Sequence, residues 1–352
     1  MRSTPIRQLL TQILSSDPEI EVVGSAPDPV AAREKIRTLS PDVLTLDVEM
    51  PKQDGVTFLS QLMQSHPMPV IMISSLTEKG CETTLRALDL GAVDFVTKPK
   101  IDVSRGTVDL GHEIIFKVKA ASRARMRARP RAAAPSAAQA TVPHAIPAAP
   151  ATGMRLKTTQ RIIAIGSSTG GTEALREILT KLPPDAPPIV VVQHMPPVFT
   201  RQFAERLNGL CRVRVREAKS GDALLTGHVL IAPGGDSHLE IVRSGAAYGV
   251  VLVPGPPLGH HRPAVNIMFD SCARAVGPNA TGIILTGMGA DGAKGLLAMR
   301  RAGARTIAEH ESTCIVYGMP KEAIECGAAE YIIPLDRIAA ALMGNLPDVR
   351  SA

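Results

Sequence analysis

Ile162-Ile163-Ala164-Ile165-Gly166-Ser167-Ser168-Thr169-Gly170-Gly171 is an aliphatic run that breaks into small residues and glycines, and Thr172-Glu173-Ala174-Leu175-Arg176 follows it with helical character. The aliphatic run predicts a strand buried on both faces, the glycines a tight turn, and the next residues the first turn of a helix. Gly166-x-Ser168-x-Gly170 fits a nucleophile elbow in its strand–turn–helix setting. Such a turn raises the serine hydroxyl at the carboxyl edge of a sheet and aims helix N-terminal N–H groups at a developing oxyanion. The competing reading is a phosphate-binding glycine loop. Against it, the spacing is not G-x-G-x-x-G and no Lys-Ser/Thr follows the glycines.

Working outward, the next apolar run, Ile189–Val192, ends in Gln193-His194 and not in the acid that a dinucleotide fold requires. Taken alone His194 reads as a surface or capping residue. In the same crevice as Ser168 it becomes the base that serine activation needs. A third strand, Gly282–Leu285, breaks into Thr286-Gly287-Met288-Gly289-Ala290-Asp291-Gly292. Asp291 is either an ordinary turn aspartate before glycine or the group that orients His194. The order Ser…His…Asp differs from the Ser…Asp…His of α/β-hydrolases, so this is a separate solution on a different sheet. Further strands are expected at Val213–Glu217, Val229–Ala232, Val250–Val253, Arg305–Ala308 and Tyr331–Pro334.

The strand–helix rhythm also runs through residues 6–100. Strands are expected at Ile20–Gly24, Val43–Leu46, Val70–Ile73 and Ala92–Val96, with helices beginning at Ile6, over Asp28–Leu39 and over Val56–Met63. A further amphipathic helix over residues 107–121 carries Leu110, Ile114 and Val118 on one face. From Arg123 to Gly153 the chain turns to Ala, Pro and Arg, too poor in large apolar groups to offset its ordering entropy. The 352 residues therefore divide into an N-terminal α/β unit (1–121), a linker (122–158) and a larger α/β unit (159–347), both units doubly wound and mainly parallel. Aromatic residues make up only 3% of the chain and tryptophan is absent, so the cores are aliphatic.

Composition narrows the function classes. The net charge is +6, but five arginines fall within the linker between Arg123 and Arg131, with no aromatic residue among them, which argues against nucleic acid. The linker arginines read as a solvated spacer, with docking to an acidic partner as the alternative. The five cysteines are scattered and form no C-x-x-C pair, which fits reduced thiols, no zinc site and a cytoplasmic setting. No apolar stretch predicts secretion or membrane insertion.

Together these residues carry a resemblance. Gly166 to Ala174, Gln193-His194-Met195-Pro196, Ala232-Pro233-Gly234-Gly235, His261-Arg262-Pro263 and the Leu285–Gly292 stretch are similar, in order, to the catalytic domain of the CheB family of chemotaxis protein-glutamate methylesterases. The resemblance implies a Rossmann-like methylesterase domain that hydrolyses glutamate methyl esters, and deamidates glutamines, on methyl-accepting chemotaxis receptors, with no cofactor for catalysis. It implies Ser168 as nucleophile, His194 as general base, Asp291 as its orienter, Met288 as an oxyanion donor through its N–H, and Thr169 as a lining residue. Asn266 stands where the family usually has Asp, which implies only a local effect.

In the N-terminal unit, Asp47 ends a strand and is followed by Val48-Glu49-Met50-Pro51 and Asp54-Gly55, while Ser74 ends the next strand and Lys98-Pro99 the one after. Any one of these is an ordinary cap or surface residue. Together they resemble a flavodoxin-like response-regulator receiver, which implies Asp47 as phosphoacceptor from the chemotaxis histidine kinase CheA, Lys98 as phosphoryl partner and Ser74 as switch hydroxyl. The receiver looks truncated: the first strand and the acidic pair that would bind Mg²⁺ are missing from the pattern, so no metal ligand is assigned. Phosphorylation with Mg²⁺ is expected only if that segment is restored: either a start codon was placed too late, the favoured reading, or this form is impaired in phosphorylation. The receiver is expected to cover the esterase crevice until phosphorylated. Two other classes remain: a docking module with a vestigial serine site, and a DNA-binding response regulator, which would need a helix-turn-helix or winged module.

Overall fold

The structure is a computed structural model, and it describes residues 3–50, 53–98, 106–124 and 161–344. The expected linker lies, from residue 125 on, outside the described residues, as do Pro51 and Pro99.

In the N-terminal unit, β1 (Leu44–Asp47), β2 (Val70–Ser74) and β3 (Asp94–Thr97) form a parallel sheet in that order. Every residue of β2 is buried, which is why it reads as an unbroken apolar run. The helices are α1 (Ser3–Ser15), α2 (Pro29–Leu39), α3 (Gly55–Ser65), α4 (Glu78–Asp89) and α5 (Gly106–Ser122). Their starts follow from local chemistry: Asp28 caps α2 through Val30 N and Ala31 N, Asp54 caps α3, and Thr77 caps α4. The strand expected at Ile20–Gly24 is not formed. These residues join no ladder, and a cavity of about 550 Å³ separates them from β1, lined by Ile6, Leu10, Val22, Leu44 and Leu46 among others. The sequence there has strand character, but a strand exists only with a partner to accept its hydrogen bonds.

The C-terminal unit is built on seven parallel strands in the order β12-β11-β10-β4-β5-β7-β6. These are β4 (Ile162–Ser167), β5 (Ile189–Gln193), β6 (Arg214–Glu217), β7 (His228–Ile231), β10 (Ala280–Ile284), β11 (Arg305–Glu309) and β12 (Tyr331–Ile333). Alternate residues of β4 feed opposite cores. Ile163 and Ile165 pack with α6 (Gly171–Leu179), α7 (Phe199–Leu210) and α11 (Leu335–Leu342), whereas Ile162 and Ala164 pack with α8 (Val265–Ala275), α9 (Ala293–Arg301) and residues of α10 (Met319–Glu325). The expected strand Val250–Val253 lies outside this sheet. It belongs to an antiparallel hairpin of β8 (Ser237–Ser244) and β9 (Ala247–Pro254). Its alternating burial is that of a ribbon with one wet face. The chain goes from β4 outward to β5, then returns to lay β10 on the other side of β4, so the order reverses at the β4/β10 boundary. Parallel sheets open a crevice at the carboxyl ends of such strands. Among the described residues the C-terminal half is this sheet, its helices and the β8–β9 hairpin, with no separate helix-turn-helix module.

The N-terminal unit lies against that crevice. Phe95 of β3 stacks on Phe199 of α7 at 4.1 Å, and Thr169 Oγ1 donates to Asp94 Oδ2 at 2.6 Å. Ion pairs join Glu78 to Arg201 at 2.6 Å and Asp89 to Arg206. Phe116 of α5 meets His261 edge-on at 6.0 Å.

Candidate active site

Ser168 follows β4 directly. Its N–H donates to Thr286 O at 3.1 Å and its carbonyl accepts from Gly171 N at 2.8 Å, which closes the turn into α6. Gly170 has φ 81°, a conformation open to glycine. The loop after β10 presses on the serine so closely that a Cβ on Gly287 would lie 2.8 Å from Ser168 Cβ. Gln193, at the end of β5, stiffens the same turn: its Oε1 accepts from Ser167 Oγ at 2.7 Å and its Nε2 donates to Ser168 O at 2.9 Å. Nothing in the sequence pattern marked Gln193 beyond its place beside His194.

Ser167 and Gln193 are register partners on neighbouring parallel strands, and His194 N donates to Ser167 O at 3.1 Å. Ser168 and His194 are therefore adjacent positions across one strand gap of about 4.8 Å. The His194 ring bonds through Nε2 to Asp291 Oδ2 at 2.8 Å, although 97 residues separate the two. An ionised carboxylate only accepts, so Nε2 carries the hydrogen and Nδ1 the lone pair. Nδ1 is buried and has no hydrogen-bond partner.

Asp291 is held from the other side by the first amides of α8: Val265 N donates to Oδ2 at 2.7 Å and Asn266 N to Oδ1 at 2.9 Å. Burial acts to raise the Asp291 pKa, but the bond from His194, its charge and the two amides outweigh it and hold the carboxyl below its ordinary value. The Asn266 side chain accepts from Gly295 N at 2.8 Å, tying α8 to α9 away from the pair. His261 stacks flat on His194, 3.7 Å between centroids and 6° between planes.

Thr169 is 1% exposed and Ser168 only 4%, and the Thr169 hydroxyl donates to Asp94 of the N-terminal unit. Among the described residues, the backbone N–H groups of Thr169 and Met288 make no hydrogen bond. Thr169 is buried and Met288 half-buried, and a buried amide without a partner is uncommon and calls for an explanation.

The second constellation is only partly assembled. Lys98 Nζ reaches Asp47 Oδ1 at 2.8 Å and Glu49 Oε2 at 3.0 Å. Burial acts to lower the Lys98 pKa, yet the two carboxylates leave it raised. Ser74 is fully buried and turned elsewhere: its hydroxyl takes a bond from Thr84 Oγ1 at 2.6 Å and lies 3.3 Å from Gly80 O. Mg²⁺ needs several oxygen ligands. Asp47 and Glu49 are both committed to the Lys98 ammonium, and no group of three His, Cys, Asp or Glu fit to hold a metal occurs among the described residues, so the residues present do not fit that ion.

Comparison with known proteins matches the chain to two family models: "CheB methylesterase" over residues 163–342 and "Response regulator receiver domain" over residues 3–105. A protein-glutamate methylesterase/protein-glutamine glutaminase of Burkholderia lata is 54% identical over 351 residues, covering 98% of this chain and 93% of that protein. One of the same name from Bordetella bronchiseptica is 51% identical over 350 residues, covering 98% and 95%. The crystal structure of the Thermotoga maritima CheB methylesterase catalytic domain is 40% identical, with a TM-score of 0.52, and covers 53% of this chain and all of that one. The catalytic half and the receiver half are thus both accounted for along nearly the whole length, and the chain belongs to the CheB methylesterase family.

Proposed function

We propose that this chain hydrolyses glutamate methyl esters, and deamidates glutamine side chains, on chemoreceptors, with Ser168, His194 and Asp291 as the catalytic residues and the receiver as a phosphorylation-controlled cover. One observation carries the reading: Asp291 occupies Nε2 of His194 and leaves a buried, unpartnered Nδ1 one strand from Ser168. That nitrogen is the base available to the serine.

In the reaction, Nδ1 takes the Ser168 proton as Oγ attacks the ester carbonyl. The free amides of Thr169 and Met288 are the donors we assign to the oxyanion. Collapse expels methanol, which leaves with the proton from His194. A water then attacks the acyl-serine, again deprotonated at Nδ1, and releases the glutamate carboxylate and Ser168. With a glutamine substrate the same steps release ammonia. No step uses a metal or cofactor. In the receiver, Asp47 is the proposed acceptor of a phosphoryl group from the kinase CheA, with Lys98 as its counter-charge and Ser74 rotating from Thr84 to meet it. We place the protein in the cytoplasm, where the kinase and receptor tails lie; no described helix is long and apolar enough to cross a membrane.

The test is methanol release from methylated receptor. Ser168→Ala is expected to abolish it with an unchanged melting temperature. Undiminished release from that variant would remove the proposal.

A further inference from the structure

The His261-Arg262-Pro263 motif has no part in the reaction as written. Arg262 pins its loop in place: Nε donates to Gly235 O at 2.6 Å, Nη1 to Gly255 O at 2.7 Å and Nη2 to Asp236 Oδ1 at 2.9 Å. Leu258 and His261 exchange backbone hydrogen bonds at 3.0 and 3.1 Å. The loop so fixed lays the His261 ring flat on His194. A few residues on, Val265 N and Asn266 N hold Asp291. One short segment thus supports both the face of the catalytic imidazole and its carboxylate partner.

The second side-chain torsion of a histidine is broad. A single bond from Nε2 to Asp291 anchors one ring atom and leaves the ring free to swing about that anchor. The direction of the Nδ1 lone pair depends on the swing, and a flat neighbour at contact distance removes it.

We propose that His261 is a positioning residue of this hydrolytic site: its stacked ring fixes the plane of His194 so that Nδ1 faces Ser168, and its π-face steadies the imidazolium that forms when the serine proton arrives. The inference rests on the hydrolase reading above. His261 makes no hydrogen bond through its ring among the described residues, so it belongs to no protein proton relay there. It also stays neutral. Burial first, then the charges of His194, Lys117 and His260, push its pKa down to about 3 against the opposing pull of Asp291. A neutral ring can lie against a developing cation where a charged one could not.

The experiment uses the full chain with methylated receptor, measuring kcat and KM for methanol release and the rate at which a fluorophosphonate labels Ser168. His261→Leu keeps the bulk without the flat face; His261→Phe keeps the face without the nitrogens. The leucine variant is expected to lose about 10- to 30-fold in kcat and in labelling rate, with KM within twofold. The phenylalanine variant is expected to stay within about threefold of wild type in all three. Phe116 of the receiver touches His261, so loosened docking would raise activity and cannot mimic the expected loss. A leucine variant as fast as wild type overturns the proposal, and so does a phenylalanine variant as slow as the leucine one. A wild-type chain that releases no methanol would overturn the hydrolase reading and take this inference with it. An active wild type without the Phe/Leu split overturns the inference alone.

Discussion

Asp291 keeps its charge where burial works against it, because three donors converge on two oxygens. Asp291→Asn keeps the shape but reverses one of those partnerships, and a misplaced imidazole hydrogen follows. Methanol release is expected to fall about 10³- to 10⁴-fold. Stability is expected to fall by about 1–3 kcal/mol in urea titrations, the cost of a buried donor left unsatisfied. The sign of the pH dependence follows from the lowered carboxyl. Its stabilising contribution is fully present above the unfolded value of about 3.9 and is lost as pH falls through the lower folded value. The gap between wild type and Asp291→Asn is therefore expected to be flat from about pH 5 to 8 and to close below about pH 4. A gap that widens in acid would contradict the assignment of charge.

At the scale of elements, the strands buried on both faces were legible in the sequence: β2, β4, β5 and β10 are all aliphatic runs ending at a chemically useful residue or a glycine loop. Of the β8–β9 hairpin only Val250–Val253 was legible as a strand; β8 was not, because His238, Glu240 and Arg243 interrupt its apolar pattern and only its partner strand gives the alternation meaning. Ile20–Gly24 fails in the opposite direction: it has strand composition but no neighbour with which to form a ladder. A chain extended by an apolar strand ahead of residue 1 is expected to close the cavity beside β1. Its receiver should melt about 4 °C or more higher, and Asp47 should accept phosphate from a small phosphodonor with Mg²⁺. An unaltered melting curve would show that the gap is not a strand site.

At the scale of the whole molecule, the contact between the halves carries a buried charge. Lys117 Nζ lies 3.3 Å from Asp94 Oδ1 and donates to Phe95 O at 2.6 Å, while the other Asp94 oxygen accepts from Thr169. Asp94→Ala removes one of the two carboxylates beside the buried Lys117 ammonium, leaving Glu113 at 3.2 Å, and also removes the acceptor of the Thr169 hydroxyl that joins the halves. Loss of the Thr169–Asp94 bond weakens the contact between the halves and favours undocking. Basal methanol release without a phosphodonor is expected to rise several-fold in this variant, and likewise on deleting residues 1–155. A fall in both would show that the receiver assists the esterase and does not cover it. The exposed pair Glu78–Arg201 should matter less, since such pairs are worth about 0–1 kcal/mol.

The sequence by itself determined the two α/β halves and the strand ends at which Ser168, His194, Asp47 and Lys98 stand, because apolar periodicity and turn chemistry are local properties. Tertiary structure alone decided which His194 nitrogen is free, that His261 lies flat upon it, that Ser74 faces Thr84, and that Asp94 holds Thr169 from the other half of the chain. Those choices depend on residues far apart in sequence meeting at fixed distances and angles, and no local pattern encodes an angle between two loops.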